Sequence, residues 1–202
     1  MPTLKPDLLL FDLGGVLVDF SGPRDLAAFM RAPAPPAEIL KRWAACPHTT
    51  AYEGGQISAQ EWAARFVRDW DVDLAPDAFL AEFRSWSRGF LPGARELLAE
   101  LRPRYRLAAL SNSNAIHWQR NAELHIPDEF EFAIGSHEIG ACKPDPAIFQ
   151  AVLERARVTP AAVAFFDDLP GNVAGAARCG LRAFQVEGVA GVRECLIREG
   201  WI

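Results

Sequence analysis

Leu8-Leu9-Leu10-Phe11-Asp12-Leu13-Gly14-Gly15-Val16-Leu17 is the stretch whose reading decides the fold. Its opening residues are uninterruptedly apolar, as in a strand covered on both faces, and they predict a strand over Leu8–Leu13. The run delivers one carboxylate, Asp12, to a Gly-Gly turn where backbone can approach a ligand closely. A carboxylate at the carboxyl end of a central strand is placed to serve as nucleophile or metal ligand. The same residue type is also a common turn former, so the meaning of Asp12 depends on what the rest of the chain brings to it.

Four further apolar runs predict strands over Arg106–Ser111, Glu131–Gly135, Val163–Asp167 and Ala183–Val186. Helical spacing predicts helices over Ala94–Leu101, Ala115–Glu123, Pro146–Ala156, Val173–Cys179 and Val192–Glu199. Short apolar strands alternating with helices indicate an α/β fold, a doubly wound parallel sheet between two helical layers. In such sheets ligands bind beyond the carboxyl ends of the strands.

The interval between the first and second of these strands departs from that rhythm. From Gly22 to Gly89 the pattern is helical throughout, with candidate helices Arg24–Arg31, Glu38–Ala45, Ala59–Trp70 and Asp77–Arg88. Breaks fall at Ala32-Pro33-Ala34-Pro35-Pro36, Cys46-Pro47-His48, Glu53-Gly54-Gly55 and Leu74-Ala75-Pro76. Ser58 is placed to cap the third helix. This is too long for an ordinary crossover, and it reads as an inserted helical cap over residues 20–89. Residues 1–19 and 90–202 then form the core domain. Trp62, Phe66 and Trp70 share one helical face, and with Trp43, Trp86, Phe79 and Phe83 they are expected to form the core of the cap.

The bulk numbers exclude several classes. The 202 residues are 50% apolar and 23% charged, ordinary for a globular chain. A net charge of -5 without a Lys/Arg cluster argues against a nucleic-acid partner. No run approaches a membrane span, and residues 1–7 carry no signal-like apolar segment. The cysteines at positions 46, 142, 179 and 195 show no Cys-x-x-Cys spacing, and reduced thiols in a cytoplasmic protein are expected.

The later strand ends carry the polar groups that Asp12 would need. The second ends in Ser111-Asn112-Ser113-Asn114 and the fourth in Asp167-Asp168, with Asn172 further on; the loop after the third holds Lys143-Pro144. Together they suit phosphoryl transfer. Asp12 would attack phosphorus and form an aspartyl-phosphate, splitting hydrolysis into two easier steps. Lys143 and a Mg²⁺ ion would offset repulsion among Asp12, Asp167, Asp168 and the phosphate. Ser111 and the Asn112 N–H would donate to phosphate oxygens. The Gly14 carbonyl could place its oxygen on the metal, since backbone oxygens suit a hard cation. Pro144 is expected to open the next helix just after Lys143.

On these residues the chain resembles the haloacid dehalogenase superfamily, with a cap inserted after the first motif. Asp12 matches the nucleophile motif, Ser111-Asn112 the second, Lys143-Pro144 the third, and Asp167-Asp168 with Asn172 the fourth. Phe11-Asp12-Leu13-Gly14, Leu110–Asn114, Phe165–Asp168 and Tyr52-Glu53-Gly54-Gly55-Gln56-Ile57-Ser58 are similar to bacterial α-D-glucose-1-phosphate phosphatase-like proteins. The resemblance implies a Rossmann-like three-layer sheet of strand order 5-4-1-2-3. It implies a Mg²⁺ ion held by Asp12, the Gly14 carbonyl and Asp168, with Asp167 and Asn172 in support, and a hydrolase acting on small phosphorylated metabolites, sugar phosphates first. Most phosphatases of the superfamily carry a second aspartate two residues after the nucleophile, which handles the leaving-group proton. Here that position is Gly14. His48 and Glu53 are cap-side candidates for the missing acid. Gly14 also admits a 2-haloacid dehalogenase, whose halide leaves unprotonated, and a non-catalytic phosphate- or protein-binding module.

Overall fold

The computed structural model describes residues 5–32 and 34–202. Residues 1–4 of the amino-terminal reading, and Pro33 within the Ala/Pro break, lie outside the described residues. The chain opens with β1 (Leu8–Phe11) and β2 (Val18–Phe20). Five helices follow: α1 (Gly22–Phe29), α2 (Pro36–Ala44), α3 (Pro47–Glu53), α4 (Ala59–Asp69) and α5 (Pro76–Arg84). Then come β3 (Ser87–Phe90), α6 (Ala94–Leu101), β4 (Arg106–Ser111), α7 (Ala115–Glu123) and β5 (Phe132–Gly135). The chain closes through α8 (Ser136–Ile139), α9 (Pro146–Ala156), β6 (Val163–Asp167), α10 (Pro170–Arg178), β7 (Arg182–Gln185) and α11 (Gly188–Arg198).

The main sheet is parallel with order β5-β4-β1-β6-β7. Counting only these strands and reading from the β7 edge, this is the implied 5-4-1-2-3. β1 is central: Leu10 pairs with Ala108 on one side and Phe165 on the other. Alternate residues leave opposite faces. Leu9, Phe11, Ala109 and Phe166 pack with α6 and α11 in one cluster, while Leu8, Leu10, Leu110 and Phe165 pack with α9 in the other. A strand buried on both sides must be apolar throughout, which is why β1 reads as a continuous run and not as an alternation.

The insertion has a core of its own. Leu26, Trp62, Phe66, Phe79, Phe83 and Trp86 lie fully buried in it, and rings stack or meet edge-on throughout. Ser58 caps α4 as expected, its side chain accepting from the Glu61 N–H at 3.2 Å. Two expectations need correction here. The Cys46-Pro47-His48 break opens a helix, α3, with Pro47 in the first turn, where its missing N–H costs nothing. The last helix of the insertion stops at Arg84 instead of Arg88, because residues 87–90 pair antiparallel with β2. Gly89, at a φ of 114°, is outside helical space altogether. The helical interval is therefore entered and left through a two-stranded ribbon. Among the described residues no helix is long and apolar enough to cross a membrane.

Candidate active site

Lys143 organises the crevice at the carboxyl edge of the sheet. Its Nζ donates to Asp12 Oδ1 at 2.6 Å, Asp167 Oδ2 at 2.7 Å and the Leu110 carbonyl at 3.0 Å. An ammonium has three protons, and all three are used. The Lys143 side chain is 1% exposed, so its charge is held against desolvation by these carboxylates. Burial alone would lower its pKa; Asp12 and Asp167 outweigh that and raise it.

Asp12, Asp167 and Asp168 lie with carboxylate oxygens within 4.8 Å of one another. Their surroundings differ. Asp167 is fully buried, and both its oxygens are engaged: Oδ1 accepts from the Leu169 N–H at 2.9 Å and Asn172 Nδ2 at 3.0 Å, Oδ2 from Lys143 and from Asn172 at 3.1 Å. Asn172 thus holds Asp167, the supporting residue it was expected to accompany. Asp12 is pushed up to about 7 by burial, with Lys143 opposing and the two other aspartates adding to the rise. Asp168 is pushed up to about 6, chiefly by burial and by Asp167. Gly15, at a φ of 79°, lets this carboxylate come in: a Cβ there would stand 2.7 Å from Asp168 Oδ2.

Ser111 is buried at the end of β4, and Asn112 follows it. Asn112 grips the backbone of Lys143 from both sides, its Oδ1 accepting from the Lys143 N–H at 2.7 Å and its Nδ2 donating to the Lys143 carbonyl at 3.0 Å. This replaces the expected role of Pro144 as helix opener. Helix α9 begins at Pro146 behind an Asp145 cap, and Lys143 is positioned by the Asn112 side chain.

The strand ends thus bring together one aspartate, one buried lysine and an aspartate pair. A family model described as haloacid dehalogenase-like hydrolase matches residues 6–180. The chain belongs to this family.

Among the relatives of this hydrolase, Phosphatase MT3486 of Mycobacterium tuberculosis is 29% identical, over 95% of this chain and 92% of its own length. Glyceraldehyde 3-phosphate phosphatase of Pyrococcus abyssi is 35% identical, over 87% of this chain and 79% of its own. A crystal structure of the haloacid dehalogenase family enzyme BT-2542 from Bacteroides thetaiotaomicron, in complex with magnesium and inorganic phosphate, superposes with a TM-score of 0.71. It is 26% identical, with 90% of this chain and 94% of that chain covered.

The donor set suits a hard divalent cation, since every side chain in the cluster offers carboxylate oxygen and none offers sulfur or imidazole. Three carboxylates facing one ammonium also leave an excess of negative charge that a cation would neutralise. Asp167 has little left to offer, with both oxygens already bonded, so the accessible oxygens are those of Asp12 and Asp168.

The insertion contributes one carboxylate to this edge. Of the two cap-side candidates, His48 pairs with Asp69 at 3.2 Å within the insertion and is not drawn to the crevice. Glu53, at the end of α3, comes close enough for the Lys143 charge to act on it. Its carbonyl accepts from Ser136 Oγ at 2.6 Å, and Ser136 Oγ also accepts from the Ser113 N–H at 2.9 Å. Ser136, fully buried at the end of β5, is a site residue that sequence reasoning missed. It obeyed the signal used for the others, a polar residue just past a buried strand, but no charge singled it out.

Proposed function

We propose that this hydrolase is a phosphatase of small phosphorylated metabolites, sugar phosphates first, that works with Mg²⁺ through an aspartyl-phosphate on Asp12. The observation that carries this reading is the Lys143 ammonium in contact with Asp12 at one strand end and Asp167 at another, with Asp168 beside them. Asp12, the Gly14 carbonyl and Asp168 would hold the metal, which supplies Lewis-acid neutralisation of the phosphate oxygens.

The chain's own residues do the rest. An Asp12 oxygen forms a bond to phosphorus as the bond to the leaving oxygen breaks. Water then attacks phosphorus and releases the Asp12 carboxylate and inorganic phosphate. Lys143 holds Asp12 in line and stabilises charge on the transferring group. Ser111 and the Asn112 N–H receive the phosphate, while Asp167, fixed by Asn172, holds Lys143 in place. The insertion, residues 20–89, acts as a cap that excludes water over a core of residues 1–19 and 90–202. Four free cysteines support a reducing, cytoplasmic setting.

Names of relatives and the magnesium- and phosphate-bound neighbour support the same reading. The dehalogenase alternative leaves Asp167 and Asp168 beside an anionic substrate with only Lys143 to offset them. A panel of phosphate esters assayed with Mg²⁺ and again with excess chelator tests the proposal. Phosphate release that stops on chelation is the expected result. Release undiminished by chelator would remove the metal from the reading, and no release from any ester would remove the phosphatase.

A further inference from the structure

Gly14 stands where a side chain could have managed the leaving-group proton. A Cβ built there would meet Phe20 Cβ at 3.5 Å, an ordinary contact. The position therefore accepts a Cβ without a clash and does without one. Something else must supply the proton to an alkoxide leaving group, or turnover would be confined to esters that need none.

Helix α3 brings a carboxylate to the right edge. Its last residue is Glu53, and two contacts tie this end of α3 to the two loops that carry the phosphate-binding and lysine residues. Ser136 Oγ donates to the Glu53 carbonyl at 2.6 Å and accepts from the N–H of Ser113, two residues beyond Ser111, at 2.9 Å. Cys142 Sγ, next to Lys143, reaches the Thr50 carbonyl at 3.8 Å. The turn that follows is seated equally closely: Gly55, at a φ of 68°, has no Cβ because one would lie 2.6 Å from the His137 carbonyl. The Glu53 carboxylate is held by Trp43 Nε1 at 3.4 Å, on the insertion's side. Glu53 as a residue is half-buried, and its carboxylate feels both its own burial and the Lys143 charge.

We propose that Glu53 is the proton donor and acceptor of this enzyme, carried into the crevice by the insertion and doing the work for which Gly14 has no side chain. This rests on the phosphatase reading. In the first step the bond from phosphorus to the leaving oxygen breaks, and that oxygen takes the proton of the Glu53 carboxyl as Asp12 bonds to phosphorus. In the second step the Glu53 carboxylate takes a proton from water as the water oxygen bonds to phosphorus and the bond to Asp12 breaks. Glu53 ends protonated, ready for the next ester. Burial pushes its carboxyl up to about 7 against the Trp43 hydrogen bond and the Lys143 charge, so both forms are available near neutral pH.

Glu53→Gln keeps an oxygen for Trp43 and removes the titrating proton. Its test uses two esters with the same enzyme: p-nitrophenyl phosphate, whose leaving group needs no proton, and an alkyl phosphate drawn from the wild-type substrates. For the alkyl ester, turnover should fall about 100-fold or more, the usual worth of a positioned acid. For the nitrophenyl ester the first step survives and the second slows, so rapid mixing should show a burst of about one nitrophenolate per enzyme. Gly14→Asp added to Glu53→Gln should recover about tenfold or more of the alkyl-ester rate. A folded Glu53→Gln protein within about threefold of wild type on both esters would overturn the inference. So would equal slowing on both esters with no burst and no recovery in the double variant. A wild type inactive on every ester overturns the phosphatase reading itself, and the inference with it.

Discussion

The cluster at the ends of β1, β4 and β6 and the interior of the insertion both bury large side chains, but they are held together by different forces. In the crevice an ammonium and its carboxylates sit a few ångströms from apolar strands, and each charge is tolerable only because of its partner. In the insertion the buried groups are rings, with Trp62 lying 4.5 Å from Phe83 and 5.0 Å from Phe66, centroid to centroid. Ion pairs there stay outside, as Arg31–Asp73 and Arg65–Glu61 do. Burial of rings is shared among many contacts and forgiving of changes that keep shape and volume. Burial of charge is conditional, and removing one partner leaves a cost that the fold does not otherwise carry.

Substitutions within the crevice should separate these two effects most strongly. Asp12→Asn removes the nucleophile and should lower turnover by on the order of 10⁴-fold or more. Yet it takes one negative charge out of an acidic cluster, so the unfolding midpoint in urea should hold or rise. Lys143→Met should also abolish turnover, and it strands Asp12 and Asp167 without their cation. A destabilisation of about 3–5 kcal/mol is expected there. If both variants lose stability alike, the picture of an ammonium compensating surplus carboxylates is wrong.

In the insertion the expected loss comes from packing. Trp62→Ala should cost about 3–5 kcal/mol, whereas Trp62→Phe, which keeps a ring among Phe66, Phe79 and Phe83, should cost about 1–2 kcal/mol. Urea unfolding followed by tryptophan fluorescence reads both. A Phe variant as damaging as the Ala variant would mean that the indole contributes more than its bulk. Its Nε1 contact with Thr49 Oγ1, at 3.4 Å, would be the first place to look.

The same contrast explains what could be read in the chain beforehand. Core strands and helices announced themselves because a doubly covered strand must be apolar and a helix against it must repeat at 3.6; α6, α7 and α9 begin and end where the pattern predicts. Asp12, Lys143, Asp167 and Asp168 stood out as charges at the ends of apolar runs, and the fold brings those ends together. The ribbon of β2 and β3 did not stand out, since Val18-Asp19-Phe20 and Ser87-Arg88-Gly89-Phe90 lack the apolar run that marks the strands of the main sheet. Helix α3 was hidden by Pro47, which reads as a break and serves as a start. Contacts that depend on a neutral side chain meeting backbone, such as Asn112 on Lys143 or Ser136 on Glu53, leave no mark in a linear pattern.

The seam between the two regions contains a group whose buried state depends on pH. His117, on α7, is 6% exposed, and its Nε2 lies 2.6 Å from the carbonyl of Phe83 on α5 while its Nδ1 lies 3.2 Å from Asn114 Nδ2. A neutral ring with its proton on Nε2 satisfies both partners, donating to the carbonyl and accepting from the amide. A second proton on Nδ1 would face the amide donor. Burial lowers the His117 pKa from 6.5 to about 4, with the Phe83 carbonyl opposing. The unfolded chain therefore binds this proton between pH 6.5 and 4 while the folded chain does not, and stability from this residue is complete above 6.5 and falls as pH drops through that window, by about 3 kcal/mol in all. Asp12, Glu53 and Asp168 act in the opposite sense, because their raised carboxyls bind protons in the folded state first. The bare pH profile of the protein thus mixes both signs. The difference between wild type and His117→Gln isolates the imidazole: the urea midpoint of the wild type should drop relative to the variant on going from pH 7 to pH 5. A constant difference across that range would show that His117 charges without cost, and that the seam between core and insertion is open to water.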